Sequence, residues 1–173
     1  MQPIYIVMVG LPGSGKSYIA KELMKSLKGY NHHASTDAII EMWAAAENKT
    51  YDEVWPSGID SANKLLNEWL ERSMQFRDNI IHDQTNLTMK KRRRILSRIP
   101  KCYNKVAIVV DVDDETQAVR LAERVGKSVP AHILESMRES FRYPVSEEGF
   151  DAVLTQDDYQ EVMSQYLNVG VHA

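Results

Sequence analysis

The feature that most constrains the fold is a glycine-rich loop that joins a short apolar segment to an amphipathic one. Residues 10–17 match the pattern G-x-x-x-x-G-K-[ST] at every fixed position. Residues 4–9 form an apolar run typical of a buried strand, and residues 16–27 are predicted to form a helix that ends before Gly29. Glycines allow successive N–H groups to face one concave site, and the following helix N-terminus adds partial positive charge. The pattern predicts a phosphate-binding loop.

This loop predicts a site for a nucleoside triphosphate. The predicted nucleotide-binding residues of the loop are Gly10, Leu11, Pro12, Gly13, Ser14, Gly15, Lys16 and Ser17. Lys16 would place a positive charge on the β- and γ-phosphates, and the Ser17 hydroxyl can ligate Mg²⁺. The sequence therefore predicts ATP, or a close relative, and Mg²⁺ as the cofactors of a phosphoryl transfer to a hydroxyl.

The rest of the chain alternates between short apolar runs and longer amphipathic ones, which is typical of a parallel sheet covered by helices. Further strands are predicted at 79–82, 106–110 and 152–154. Further helices are predicted at 37–47, 57–77, 89–99, 115–125 and 131–141, and the tail 157–173 should begin as a helix. We expect a three-layer α/β fold with a parallel five-stranded sheet, in one domain that spans residues 1–173.

Composition excludes several classes of protein. The 173 residues are 43% hydrophobic and 26% charged, with a formal net charge of −3, so neither whole-chain disorder nor an overall basic field is expected. The single cysteine, Cys102, excludes an internal disulfide and fits a reducing compartment. The apolar run at 4–9 is too short for a signal sequence or a membrane span. We expect a soluble cytoplasmic protein without a membrane partner.

Two aspartates fall where strand ends are expected, at the edge of the sheet where α/β proteins bind ligands. Asp83 ends the apolar strand 79–82 and resembles the metal-binding aspartate of a Walker B segment, although a turn residue is the alternative. Asp37 opens a helix, either as a simple cap or as the base that accepts the proton of an attacking hydroxyl. His82 is expected in the core or at the rim of the site, and the adjacent His32 and His33 do not suggest a zinc site.

Arginines are expected near the transferred phosphoryl group, where they stabilise its charge. Arg120 and Arg124 lie four residues apart on one helix face, and Gly126 next to them permits a hinge. The segment is therefore predicted to be a lid, over about residues 115–142. A solvated surface helix, with Glu123 as ion-pair partner, is the alternative.

The strongest basic cluster covers residues 90–94 and is followed by Arg98. On a helix it would occupy most of the exposed circumference, either as a solvated face or as a contact for a nucleic-acid backbone. Aromatic residues after Asp37 could stack on a base. Of these, Trp69 is predicted to pack in the core, whereas Trp43 and Trp55 are undecided.

Taken together, four segments in this order resemble the kinase domain of bacteriophage polynucleotide kinase and its P-loop relatives. These segments are 10–17, Ser-Thr-Asp at 35–37, His-Asp-Gln-Thr-Asn-Leu at 82–87 and the stretch 120–130. The resemblance runs over about residues 4–143. It implies an adenylate-kinase-like P-loop fold with an arginine lid, an ATP-dependent kinase activity, and Asp37 as general base. It also implies Lys16 and Ser17 as ligands of phosphates and metal, and Arg124 as the lid arginine.

For the remaining site, the resemblance implies that Asp83 lies near the acceptor and the metal, with Thr85 and Asn86 beside it. The chain departs from the family pattern after the base, because 38–41 read Ala-Ile-Ile-Glu and lack the expected arginine. The acceptor is then held differently. Some phage relatives resemble kinases for hydroxymethyl groups on pyrimidine bases in DNA, which would place such a protein in the host cytoplasm.

Three functions are compatible with these residues. The first is a kinase for a hydroxyl on nucleic acid, with DNA as the expected partner, acting on a hydroxymethylpyrimidine base or a 5′-hydroxyl end. The second is a kinase for a nucleoside or another small molecule, with a closed acceptor pocket near 43–55. The third is a nucleotide-binding switch that signals to a partner. The sequence does not predict the oligomeric state.

Overall fold

The computed structural model describes residues 2–160, which form one five-stranded sheet and the helices around it. The strands are β1 (Ile4–Val9), β2 (Asn31–Ala34), β3 (Asn79–His82), β4 (Asn104–Val109) and β5 (Ala152–Thr155). The helices are α1 (Lys16–Ser26), α2 (Thr36–Glu47), α3 (Tyr51–Phe76), α4 (Met89–Leu96), α5 (Asp114–Ala122) and α6 (Ala131–Ser140), and a 3₁₀ turn covers Ser146–Glu148. Most of the predicted tail, from residue 161 onward, lies outside the described residues.

The sheet is entirely parallel, in the order β2-β3-β1-β4-β5. The predicted α/β fold with a five-stranded parallel sheet is therefore confirmed. Strands β1 and β4 are neighbours, but the connection that follows β1 leads to β2 at one edge of the sheet and the connection that follows β4 leads to β5 at the other edge. The two connections therefore diverge between β1 and β4. In open parallel sheets such a divergence creates a crevice at the carboxyl ends of the strands, where ligands bind.

Alternate residues of the central strand β1 point into two hydrophobic cores. Tyr5, Val7 and Val9 face the core shared with α2, α3 and α4. Their neighbours Ile6 and Met8 face the core shared with α1, and both are completely buried. Because β1 is buried on both faces, it reads as a continuous apolar run, as strands of parallel sheets do.

Several elements differ from the sequence predictions. Helix α5 ends at Ala122 rather than at residue 125, so Arg124 lies beyond the helix face that was predicted to carry it together with Arg120. Helix α3 begins at Tyr51 rather than at residue 57, because Thr50 and Glu53 form a capping box and Pro56 is accommodated inside the helix. Strand β2 was not predicted, since its sequence, Asn-His-His-Ala, is polar and lies at the edge of the sheet. Among the helices of residues 2–160, none has the length and apolarity needed to cross a membrane.

Candidate active site

The phosphate-binding loop runs from the carboxyl end of β1 into α1, and Gly15 caps the helix with a φ of 106°. Gly10 approaches β4 so closely that a Cβ atom there would lie 2.3 Å from the carbonyl oxygen of Val110. The Gly10 N–H donates to the carbonyl oxygen of Thr85 at 3.0 Å. The loop is therefore fixed between the segments that follow both neighbouring strands.

Helix α5 contacts the other side of the loop through two side chains. Gln117 is 3% exposed, and its Nε2 donates to the Pro12 carbonyl oxygen at 2.7 Å. Arg120 donates to the Ser14 carbonyl oxygen at 3.0 Å, so this predicted nucleotide-binding arginine lies at the loop backbone. Arg138 of α6 in turn donates to Gln117. The sequence analysis missed Gln117, because a single glutamine on an amphipathic helix belongs to no recognisable motif.

Lys16 and Asp83 are charged side chains buried beside the loop. The Lys16 Nζ donates to the Leu11 carbonyl oxygen at 2.7 Å, and burial lowers the pKa of Lys16 to about 8 although the Asp83 carboxylate opposes this. His33 Nε2 lies 3.0 Å from Asp83 Oδ2. Burial raises the pKa of Asp83, but hydrogen bonds from His33 and Ser17 outweigh it, so the pKa is lowered and the carboxylate stays ionised. Ser17 and Asp83, the two predicted metal ligands, thus line the same cleft close to each other.

Asp37 lies in the first turn of α2, directly after the carboxyl end of β2. The cap of α2 is Ser35, whose hydroxyl accepts the Ala38 N–H at 3.3 Å, so Asp37 is not needed as a cap. Its Oδ1 accepts the Tyr51 hydroxyl at 2.9 Å, and its Oδ2 pairs with Lys127 Nζ at 2.8 Å. The Asp37 carboxylate is 54% exposed, so it remains accessible from the cleft.

Lys127 links the predicted lid to α2 and α3. Its Nζ also pairs with Glu41 at 2.6 Å and lies 4.3 Å from the centre of the Tyr51 ring, as in a cation–π contact. Neither Lys127 nor Tyr51 was predicted as a site residue. Their proximity to Asp37 depends on the lid folding back over two helices, and no local pattern encodes that contact.

The neighbouring lid residues make backbone contacts with the start of α3. The Gly126 carbonyl oxygen accepts the Asp52 N–H at 2.9 Å, and the Ser128 hydroxyl donates to the Asp52 carboxylate at 2.9 Å. Gly126 has a φ of 69°, and a Cβ there would lie 2.7 Å from Thr50 Cβ. These contacts hold the lid over the cleft, where Arg124 is one of the lining residues.

A chain of hydrogen bonds runs from the floor of the cleft to the start of α2. The Tyr5 hydroxyl lies 2.8 Å from His82 Nδ1, His82 Nε2 lies 3.3 Å from Gln84 Oε1, and Gln84 donates to the Thr36 hydroxyl. Burial lowers the pKa of His82 to about 4, so the ring is neutral at physiological pH. The network fits Tyr5 as donor and Nε2 as the protonated nitrogen. It fixes Thr36, the neighbour of Asp37.

The two predicted substrate residues that follow β3 have different positions. Thr85 lines the cleft, as expected for a residue near the acceptor. Asn86 is completely buried, and its Nδ2 donates to the Met8 carbonyl oxygen at 2.8 Å. The prediction that Asn86 contacts substrate is therefore corrected: its amide joins β1 to the turn after β3 and does not reach the cleft.

The cleft has a volume of about 700 Å³ and runs from the phosphate-binding loop to the space between α3 and α4. Seven of the predicted site residues line it, namely Pro12, Lys16, Ser17, Asp37, Asp83, Thr85 and Arg124. Arg120, Asn86 and the loop residues Gly10, Leu11, Gly13, Ser14 and Gly15 do not line it. The predicted base, the lid arginine and the Lys16 and Ser17 side chains therefore share one cavity of the size that ligand sites have.

The basic cluster is exposed at every position except Arg92, so the predicted solvated face is corrected only at that residue. Arg92 has no exposed surface and forms an ion pair with Glu148 at 2.6 Å. The exposed Lys91, Arg94 and Arg98 also line the cleft. A basic run can be assigned to solvent from its composition alone, but the burial of Arg92 depends on a partner 56 residues away.

The aromatic side chains near the cleft also divide into two groups. Trp55 is 44% exposed and lies in the cleft lining, at the acceptor side. Trp69 and Trp43 pack against the core, so the prediction of a core position for Trp69 is confirmed. Trp55 is therefore the tryptophan that lines the cleft.

Known proteins with similar folds include kinases. A candidate kinase from Chloroflexus aurantiacus superposes with a TM-score of 0.68 at 15% identity, covering 99% of this chain and 100% of that one. The shikimate kinase from Acinetobacter baumannii superposes with a TM-score of 0.59 at 14% identity, covering 98% and 96%. At these identities the similarity establishes the fold, which is that of P-loop kinases.

Sequence comparison finds a curated relative and a family. The heterogeneous nuclear ribonucleoprotein U-like protein 2 of Homo sapiens is 28% identical over 93% of this chain. The chain spans only 23% of that relative's length. The sequence profile of the AAA domain family matches residues 6–144, from within β1 to the end of the predicted lid. Because this match covers well over half of the chain, the protein belongs to the AAA domain family.

Proposed function

We propose that this protein transfers the γ-phosphoryl group of ATP to a hydroxyl group on nucleic acid. The observation that carries the proposal is the single cleft in which the phosphate-binding loop, the Asp37 carboxylate and the cations of α4 meet. The P-loop kinase fold of the structural neighbours supports a kinase-like phosphotransferase. The ribonucleoprotein named among the relatives, which matches along most of this chain, supports nucleic acid as the acceptor.

The donor end of the cleft fits a nucleoside triphosphate with its metal. The Lys16 ammonium and the N–H groups of the loop would bind the phosphates, as in other P-loop proteins. Ser17 and Asp83 supply a hydroxyl and a carboxylate oxygen next to each other, which suits Mg²⁺, an ion that takes few protein ligands and keeps phosphate oxygens and waters. In residues 2–160 no group of three or more His, Cys, Asp or Glu side chains could hold a metal by itself. Bound Mg²⁺ would neutralise charge on the phosphates.

Asp37 would act as the general base in the transfer. The acceptor oxygen forms a bond to the γ-phosphorus, the bond from that phosphorus to the β–γ bridging oxygen breaks, and ADP leaves. The proton of the acceptor hydroxyl passes to Asp37, whose carboxylate keeps free lone pairs beside those used by Tyr51 and Lys127. Arg124, which lines the cleft, would stabilise the charge on the transferred group.

The acceptor is expected to be a hydroxymethylpyrimidine base in DNA or a 5′-hydroxyl end. Lys91, Arg94 and Arg98 give the acceptor side of the cleft a positive character that suits a polyanion. Trp55 in the same lining offers a surface for base stacking. A small molecule is the second candidate, favoured by the apolar lining residues Ile59, Leu66 and Leu70, which could surround a compact acceptor.

The test is a transfer assay with γ-labelled ATP and four acceptors: DNA with 5-hydroxymethyluracil, 5′-hydroxyl DNA, 5′-hydroxyl RNA and free nucleosides. Each reaction is run with the wild-type chain and with Lys16→Ala, whose loss of the phosphate-binding charge should remove all label. We expect label in at least one nucleic acid, at a rate well above that for nucleosides. Label confined to nucleosides would support the small-molecule kinase, and label in no acceptor would contradict the proposal.

A further inference from the structure

One lysine of the lid contacts the predicted base directly. Lys127 Nζ lies 2.8 Å from Asp37 Oδ2 and 2.6 Å from Glu41 Oε1, so a single ammonium group bridges two carboxylates of α2. The Lys127 side chain is only 16% exposed, whereas both carboxylates are more than half exposed. Asp37 and Glu41 lie four residues apart on one helix face, where like charges repel each other. The ammonium group therefore offsets a repulsion that would otherwise act on the base.

Tyr51, the first residue of α3, completes the surroundings of the base. Its hydroxyl donates to Asp37 Oδ1 at 2.9 Å, and Lys127 Nζ lies 4.3 Å from the centre of its ring. Burial, together with the neighbouring Asp37 carboxylate, raises the pKa of Tyr51 far above its usual range, so the hydroxyl keeps its proton and donates. Each oxygen of the Asp37 carboxylate thus has one donor. One donor comes from α3 and the other from the lid.

The contact of Lys127 with the base depends on the position of the lid. The preceding residue, Gly126, accepts the Asp52 N–H at 2.9 Å and so joins this part of the lid to the start of α3. Arg124 of the same segment lines the cleft. Burial is the main cause of the lowered pKa of Lys16, but Arg124 and Lys127 also lower it, so both charges act on the phosphate-binding ammonium. One segment of the lid therefore brings Arg124 to the phosphate side of the cleft and Lys127 to the base.

We propose that Lys127 is a positioning residue that couples closure of the lid to the orientation of the Asp37 carboxylate. The inference rests on the proposed function, in which Asp37 is the base, and adds a regulation of that site. With the lid closed, Lys127 holds one oxygen of Asp37 while the remaining lone pairs stay free for the acceptor hydroxyl. With the lid open, Asp37 loses this donor and is repelled by Glu41. Because coupling between two sites is reciprocal, removal of the Asp37 charge should also loosen the lid.

The first test is a double-mutant cycle of Lys127→Met and Asp37→Asn in single-turnover transfer from γ-labelled ATP. The acceptor is the one that wild type labels fastest among the four named above. Lys127→Met should lower the rate about 10-fold or more, because a displaced base costs at least that much, whereas Lys127→Arg, which keeps the charge, should retain most of the rate. In the Asp37→Asn background the same change should alter the rate by less than about 2-fold, since no carboxylate remains to be oriented. A lysine that only held the lid in place would lower the rate in both backgrounds, so additive losses would overturn the inference.

The second test needs no transfer activity. The Asp52 N–H finds its acceptor in the lid, so its hydrogen exchange, followed by NMR, reports whether the lid is closed. Exchange at Asp52 should become roughly 5-fold faster in Lys127→Met and in Asp37→Asn. It should stay at the wild-type rate in Lys25→Met, a matched control in which the exposed lysine lies on α1 and pairs with Glu22.

The inference and the proposed function fail in different ways. If wild type transfers label to none of the four acceptors, the proposed function fails, while hydrogen exchange still decides whether the lid and Asp37 are coupled. If exchange at Asp52 is unchanged in Lys127→Met or in Asp37→Asn, the coupling is overturned even when wild type is an active kinase.

Discussion

Removal of one partner of the buried ion pair between Arg92 and Glu148 should destabilise the fold by several kcal/mol. Neither side chain is exposed, and the two groups form parallel hydrogen bonds of 2.8 and 2.6 Å. The Arg92 Nη1 also donates to the carbonyl oxygens of Asn86 and Leu87 at 3.0 and 2.9 Å. The pair therefore connects α4 to the turn after β3 and to the 3₁₀ turn before β5.

The perturbation is Glu148→Gln, which keeps the size of the side chain and removes its charge. The Arg92 guanidinium then stays buried without a counter-ion, and loss of one partner of a buried pair costs about 3–5 kcal/mol. For a chain of this size each kcal/mol lowers the melting temperature by about 2–4 °C. We therefore expect the melting temperature to fall by about 6–20 °C.

The assay is differential scanning calorimetry, supported by urea unfolding to give the free energy of unfolding. Glu147→Gln is the matched control, because this exposed neighbour of Glu148 should change stability by less than about 0.5 kcal/mol. Replacing both partners by methionine should recover part of the loss, since no unpaired charge remains. A melting temperature for Glu148→Gln equal to that of Glu147→Gln would show that Glu148 does not stabilise the buried Arg92.

Two further predictions concern the lid and the loop. Gly126→Ala should lower kcat, because its Cβ would lie 2.7 Å from Thr50 Cβ and displace the lid. Gly29→Ala is the control, since this glycine also has a positive φ but its Cβ would meet only Asn79 Nδ2 at an ordinary 3.8 Å, so only stability should change. Equal transfer rates of the two variants in steady-state assays would contradict this. Affinity for ATP should fall as the pH rises through about 8, because the Lys16 ammonium that binds the phosphates loses its proton there. Calorimetry at pH 7 and pH 9 should show this fall in wild type. It should not show the fall in Lys16→Arg, whose guanidinium group keeps its charge.

The parts of the site that could be predicted from sequence are those encoded by local patterns at strand ends. Residues 10–17 carry a motif with its own strand and helix, and Asp83 directly follows the predicted strand β3. Asp37 was predicted from its place at a helix start and from the family resemblance, because β2, the strand before it, was not predicted. Since parallel strands end at one edge, residues at those ends lie together once the sheet is recognised. Asp37, Asp83, Lys16 and Arg124 do line one cleft.

The remaining features depend on contacts between residues far apart in the sequence. Gln117 donates to a carbonyl oxygen 105 residues away, and Lys127 reaches a carboxylate from a lid that folds back over α2 and α3. Asn86 looks like a polar substrate residue, yet its amide satisfies the backbone of β1 inside the fold. Such roles are set by which polar groups need a buried partner. A pattern of neighbouring residues does not show which buried polar groups require such a partner.

If Asp37 is the base of a phosphoryl transfer in this cleft, Asp37→Asn should lower the single-turnover rate of transfer from γ-labelled ATP at least about 100-fold below wild type, because a general base contributes that much or more. The ATP dissociation constant should stay unchanged. Transfer at the wild-type rate, or loss of ATP binding in this variant, would contradict this role of Asp37.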